Sequence, residues 1–321
     1  MADSTTSSGV DQLISNYYNE KAQDRLVANF VFYRFADKKK LGKGNGQTMI
    51  THRFGNITGS TSTLAETTTT AGQVQLTATT TSVTVAPYGQ FITISNFAID
   101  TMHTSDLADA ATDVLADSAS DTVDQLVRNN LISNATKFFG SKTATTSATI
   151  TTSDVLSPAG LRLIYRNFVK NKVRPFRDGK KYIYIASPMQ TYDLKSDDQV
   201  GGFLQTHQYS NPEAIMDNEI GALCGFRIIE TPQVLSTSAV TSALSSSSLG
   251  YLGYAIGEHA QTAVDLEGSP IEIIIHRAGT GGVSDPYNNV NTIAYKLPGF
   301  GVIWQGNDAD RAYAHITAVS A

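Results

Sequence analysis

Six histidines are the residues of this chain best suited to hold a metal or move a proton: His52, His103, His207, His259, His276 and His315. None stands in H-x-x-x-H or a comparable spacing, so they read as surface or strand residues rather than ligands. The single cysteine, Cys224, has no second thiol for a disulfide or a zinc site. With Gly225 beside it and no base nearby, it reads as a small buried apolar residue. Gly279–Thr280–Gly281–Gly282 is glycine-rich but lacks the Gly-Lys-Ser/Thr ending of a phosphate loop, so it reads as a loop turn. Asp106, Asp109, Asp113, Asp117, Asp121 and Asp124 recur in steps of three or four, which on a helix makes one stripe. Carboxylates a full turn apart along a helix do not converge on one ion as those of a calcium loop do. A solvated helix face is the plain reading. A nucleophile, a base and an oxyanion donor are nowhere brought together. The sequence predicts no active site, no cofactor and no metal site, and so not an enzyme.

The elements that carry these residues come in an unusual order. Residues 46–97 are rich in threonine, alternate like strands and contain no lysine. Thr48 to Phe54 reads as a strand, Val74, Leu76 and Ala78 alternate with polar neighbours, and Val83 and Val85 resume the period of two. After a turn at Pro87–Gly89, residues 91–95 form a further β run. A ribbon of about 20 residues per arm, at roughly 3.3 Å each, has no core of its own to lie on. Val74, Leu76, Val83 and Val85 are therefore expected to be buried on a neighbouring subunit. The acidic stripe follows on one long helix over residues 104–138, with Thr104 as N-cap. Leu107, Ala111, Val114, Leu115, Ala119, Val123 and Leu126 lie on the side opposite the aspartates.

Downstream, Ser157–Pro158 opens a second helix in the N-cap, N1 order. Residues 182–186 form a short strand, followed by a helical turn at 189–194. A glycine-punctuated turn leads into a strand over 226–230, and further β segments fall at 251–256, 271–276, 292–296 and 312–317. No βαβ rhythm appears, which predicts an α+β fold. Residues 140–153 and 236–248 are Ser/Thr-rich, a connector and a loop tip. Residues 1–55 carry eight Lys/Arg against five Asp/Glu, with Lys38, Lys39, Lys40 and Lys43 read as a solvated turn before a strand. The other reading is contact with an acidic partner or nucleic acid.

Charged residues make up 17% of the 321 residues and the net charge is −5, which argues against a whole-chain nucleic-acid binder. No apolar run reaches the roughly 18 residues of a membrane span, and the polar start lacks signal-peptide order. A soluble protein made in a cytoplasm is expected.

The order arm, ribbon, spine helix, mixed domain resembles the major capsid proteins of tailed phages, with the Hong Kong 97-type fold. Tyr17–Tyr18 with Arg53–Phe54, residues 182–197 (YIYIASPMQTYDLKSD) and residues 209–231 (YSNPEAIMDNEIGALCGFRIIET) are similar to the coliphage N-four, podovirus-type branch. The resemblance implies an N-terminal arm (1–45), an extended loop (46–99) and a peripheral domain with the spine helix (100–157). It also implies an axial domain (158–268) and C-terminal strands returning to the peripheral domain (269–321). Its implied role is a structural subunit that assembles with itself as hexamers and pentamers into an icosahedral head, made in the bacterial host cytoplasm. Packaged double-stranded DNA, a portal, a separate scaffolding protein and room for a decoration protein come with it, and no membrane. The six aspartates would then face the lumen. An encapsulin-like shell with protein cargo is the alternative, and a Thr-rich surface or tail binding module is a third reading.

Overall fold

The alanine-rich segment that follows the aspartates' first turn builds one helix, and both sheets are hung on it. A computed structural model of the chain describes residues 30–54, 57, 59–61, 74–101, 107–140, 150, 154–176, 180–196, 219–234, 250–267, 271–279, 286–305 and 311–318. After the short helix α1 (Asn96–Thr101), the spine helix α2 runs 28 residues, Leu107–Asn134. Ala111, Leu115, Ala119, Val123, Val127 and Leu131 recur every four residues and are all buried. That spacing is the stripe a helix turns toward a core. Helix α2 ends four residues before the expected limit of Phe138, because residues 136–139 are drawn off into a strand. Val114, placed by sequence on the apolar side, is 60% exposed. Thr104 and Asp106 lie outside the described residues.

One face of α2 packs on a five-stranded sheet. Its members are β1 (Asp37–Leu41), β4 (Ala86–Ser95), β10 (Gln261–Leu266), β11 (Glu272–His276) and β12 (Val290–Trp304). The 15-residue β12 pairs with β10, β11 and β4, all antiparallel, while β1 joins the edge parallel to β10. Lys38, Lys39 and Lys40 are thus strand residues, not a solvated turn. Pro87–Gly89 is not a turn either, since β4 runs through it. A Cβ at Gly89 would lie 2.7 Å from the Tyr295 carbonyl oxygen, so glycine there permits close strand approach.

The second sheet has six strands in the order β5-β13-β9-β6-β8-β7: β5 (Thr136–Phe139), β13 (Ala312–Ala318), β9 (Gly250–Ile256), β6 (Tyr182–Ala186), β8 (Phe226–Glu230) and β7 (Glu219–Leu223). Helix α3 (Pro158–Lys170) starts as expected, with the Ser157 hydroxyl accepting from the Gly160 N–H. Helix α4 (Pro188–Lys195) carries a full capping box between Ser187 and Gln190. Strands β7 and β8 are joined by Cys224–Gly225, both at positive φ (51° and 84°), the backbone of a tight hairpin turn. Cys224 is therefore a half-buried turn residue rather than core. Several strands cross the expected domain limits: β1 from the arm and β4 from the extended loop lie in the five-stranded sheet, and β5, from within residues 100–157, lies in the six-stranded one. Strand β10, from within residues 158–268, belongs to the five-stranded sheet, and β13, from within 269–321, belongs to the six-stranded one.

Among the described residues the ribbon is paired only at its root, and the expected outer part lies largely outside them. Strands β2 (Thr48–Phe54) and β3 (Ala78–Thr84) pair over seven residues each, and residues 86–95 belong to the body. One core joins everything: Phe32, Val123, Val127 and Leu131 meet Ile183, Tyr254 and Ile316 of one sheet and Leu297 and Phe300 of the other.

In β9, a Cβ at Gly253 would lie 2.3 Å from the buried Tyr184 hydroxyl, whereas no atom of the described residues lies within 4 Å of a Cβ at Gly59. Gly253→Ala is expected to lose roughly 1–3 kcal/mol in urea unfolding, and Gly59→Ala to change it by less than about 0.5 kcal/mol. Equal effects of the two substitutions would refute this packing.

Candidate functional site

Asp124 and His315 are the carboxylate and the imidazole that are 0% exposed among the described residues, and both are held by structural hydrogen bonds. Asp124 is 0% exposed. Its Oδ2 accepts the backbone N–H groups of Val31 (2.7 Å) and Phe32 (3.2 Å), and its Oδ1 accepts that of Tyr33 (3.0 Å). Burial pushes its pKa up, the three N–H groups pull it down, and nearby Asp121 pushes it up. Asp124 thus leaves the expected lumen-facing stripe, because residues 31–33 of the N-terminal arm lie over it. Asp109, Asp113, Asp117 and Asp121 are half-buried, on the flank of the buried face rather than opposite it. Asp121 also accepts from the Gln233 amide.

His315 is the second. It is fully buried in β13, not a surface residue. Its Nε2 donates to the Gly140 carbonyl (2.9 Å), and its Nδ1 accepts from the Tyr184 hydroxyl (2.9 Å). A carbonyl can only accept, so this arrangement fixes the neutral Nε2–H tautomer. Desolvation lowers its pKa to about 4. No candidate nucleophile stands beside this pair, and no three His, Cys, Asp or Glu side chains among the described residues are placed to hold a metal. No helix of the described residues is long and apolar enough to cross a membrane.

What the fold presents outward is apolar surface. In β2 every second side chain points in, so Met49, Thr51 and Arg53 face the body while Ile50 and Phe54 face out, 57% and 60% exposed. Past the ribbon's described end, Ile57, Val74 and Leu76 are more than half exposed, and on the body so are Phe91, Phe97 and Val114. Of the four residues expected to meet a neighbour, Val74 and Leu76 have that exposure. Val85 does not: it is buried with Leu41, Val264 and Ile303 of its own chain, and Val83 is half-buried against the same cluster. Gly299 and Gly301 of β12 make the room, since Cβ atoms there would lie 2.7 Å from Val85 and 2.9 Å from Val83. Ile50, Phe54, Phe91 and Phe97 were not singled out from sequence. The adjacent apolar pair Met49–Ile50 is the signal that β2 has two apolar faces.

A family model described as "Phage capsid protein" matches residues 77–314. No curated protein matches the chain. Among solved structures the chain is similar to the capsid of Ralstonia phage GP4, at 14% identity and TM-score 0.68, covering 89% of this chain and 87% of that one. It is similar to the cyanophage Pam1 capsid at 14% identity and TM-score 0.65, covering 87% and 88%. The head of Helicobacter pylori bacteriophage KHP40 follows at 11% identity and TM-score 0.61, covering 88% and 87%. The α+β Hong Kong 97-type fold expected from sequence is the fold of this chain.

The two buried groups generate two expectations. Asp124→Ala leaves three N–H groups without their acceptor, so urea unfolding of the soluble subunit should lose about 3 kcal/mol or more; a loss under about 1 kcal/mol would refute the contact's weight. For His315, the unfolded side chain titrates near ~6.5 and the folded one at about 4. In that window the unfolded state binds the extra proton. The contribution is therefore complete above ~6.5 and is lost as pH falls toward 4, about 3 kcal/mol in all. His315→Gln should flatten the urea midpoint across that window, and an unaltered pH profile would overturn it.

Proposed function

The chain belongs to the phage capsid protein family, and on that premise we propose that it is the major subunit of an icosahedral head, forming hexamers and pentamers around double-stranded DNA. It is a structural protein of the virion capsid, and its own copies are its partners in the shell. The observation that carries the finer reading is the outward apolar face of the ribbon, Ile50, Phe54, Val74 and Leu76, which the described residues leave uncovered. A neighbouring subunit is the surface that covers it. In this reading β2 and β3 form the extended loop, α2 with the five-stranded sheet the peripheral domain, and the six-stranded sheet with α3 and α4 the axial domain. The protein does no chemistry; it acts by packing against itself in the host cytoplasm, together with a portal, a separate scaffolding protein and, where present, a decoration protein. The family model and the three solved structures named above are of phage capsids or heads, which does not favour an encapsulin-like or tail-module role.

The acidic flank of α2 has a role in the same reading. Asp109, Asp113 and Asp117, with Asp106 and Asp121, would face the lumen and keep the wall from adhering to packed DNA, which binds cationic surfaces through counterion release.

Three measurements test these proposals. Electron micrographs of the purified chain should show shells, tubes or capsomers, and uniform monomers would overturn the assembly reading. Val74→Ser with Leu76→Ser, each removing on the order of 1 kcal/mol of burial at a contact, should leave a cooperative melt but block closed shells. Loss of the melt itself would place these residues in the subunit's core. Asp113→Lys with Asp117→Lys should give shells that retain nucleic acid at low salt and release it at high salt. Lysine shells holding no more DNA than the parent would refute the lumen role.

A further inference from the structure

Between the inner face of the ribbon and the five-stranded sheet lies a cavity of about 290 Å³ that the assembly reading leaves unused. Lys39 of β1, Arg53 of β2 and Arg311 reach it, together with His259. No Asp or Glu is among the described residues that line it, in a chain whose net charge is −5. Beside it, Asp37 lies 2.6 Å from the His259 Nδ1 and Glu258 3.8 Å from its Nε2. Thr51 also lines the cavity, and its Oγ1 is buried with no hydrogen-bond partner among the described residues. A buried hydroxyl without a partner is costly, and one left so beside several cations marks the place of an absent acceptor.

We propose that this cavity is an oxyanion site that takes a small phosphate-class dianion. Its oxygens would accept from the Thr51 hydroxyl, from Lys39 and from the two guanidinium groups, and the neutral wall residues Thr79, Thr81 and Gln305 would bound it. Such an ion bridges two separate parts of the chain. Thr51 and Arg53 belong to the ribbon, whereas Lys39, His259 and Arg311 belong to the body. The contact already present there, from the Arg53 guanidinium to the Gln305 carbonyl, shows the ribbon's inner face reaching the body at this point. A bound dianion would staple the ribbon at its root. A free ion fits better than a duplex backbone, because the ribbon walls one side and the sheet the other. The inference does not depend on shell assembly.

Titration calorimetry of the soluble full-length subunit with inorganic phosphate, at constant ionic strength in a chloride background, tests it. Saturable one-to-one binding is expected. Thr51→Val should weaken it roughly tenfold, the loss of one hydrogen bond to a charged group, and Lys39→Gln should weaken it as well. The valine variant removes an unpartnered hydroxyl, so its melt in phosphate-free buffer should be unchanged or higher, which separates lost binding from lost folding. Phosphate should also slow proteolysis within the ribbon of the parent but not of Thr51→Val. Three outcomes would overturn the proposal: no saturable heat, equal affinity in the valine variant, or displacement of phosphate by a short DNA duplex, which would assign the cations to a nucleic-acid backbone.

Discussion

The architecture depends on a single carboxylate taken out of water. Asp124 is buried within helix α2, and a buried anion is tolerated only where donors converge on it. Here the donors are three successive backbone N–H groups, those of Val31, Phe32 and Tyr33. Holding them sets the segment that leads from the N-terminal arm into β1. It also drives Phe32 into the joint between the sheets, edge-on to Tyr254 at 5.6 Å. The Tyr33 hydroxyl then donates to Asp265 of β10 (2.9 Å), the strand beside which β1 lies. Spine helix, arm and five-stranded sheet are thereby fixed relative to one another through one residue triplet.

Local signals in the sequence reported local structure faithfully. Ser157–Pro158 and Ser187–Pro188 start helices because a hydroxyl cap and a pre-set proline φ act within one turn. Thr48–Phe54 is a strand because its alternation is a local property. The failures share a cause. Asp124 looks like any aspartate of its stripe, since the groups that bury it lie some 91 to 93 residues away. His315 is the strand residue its context suggests, and only its burial stays hidden, because Tyr184 and Gly140 close on it from distant elements. Pro87–Gly89 has the composition of a turn, yet the glycine serves the neighbouring carbonyl of Tyr295. The exchange of β10 and β13 between sheets is a matter of pairing, which residue order does not encode.

The ribbon shows how one strand pair serves two masters. Its inward side chains join the subunit's own core at Val83 and Val85, and its outward ones stay apolar and uncovered. The alternating side chains of a single strand make this division possible without a separate domain. The expectation of a wholly exported ribbon fails at its root, where Val83 and Val85 pack on their own chain. The two buried polar groups, Asp124 and His315, are held by hydrogen bonds that tie distant segments of the chain together.

One residue, Val85, separates the end of β3 from the start of β4. Its N–H is bonded to the Gln47 carbonyl at 2.8 Å, and its side chain is seated over Gly299. Beyond it, β4 is zipped to β12 from Ala86 to Ser95. The ribbon is thus a lever with a seated fulcrum, and its short arm is a strand of the body. A force that tilts the tip cannot be absorbed by a slack hinge; it arrives as torsion on β12, the strand that β10 and β11 share. Mechanical load from one copy would in this way be felt across the whole sheet of the next.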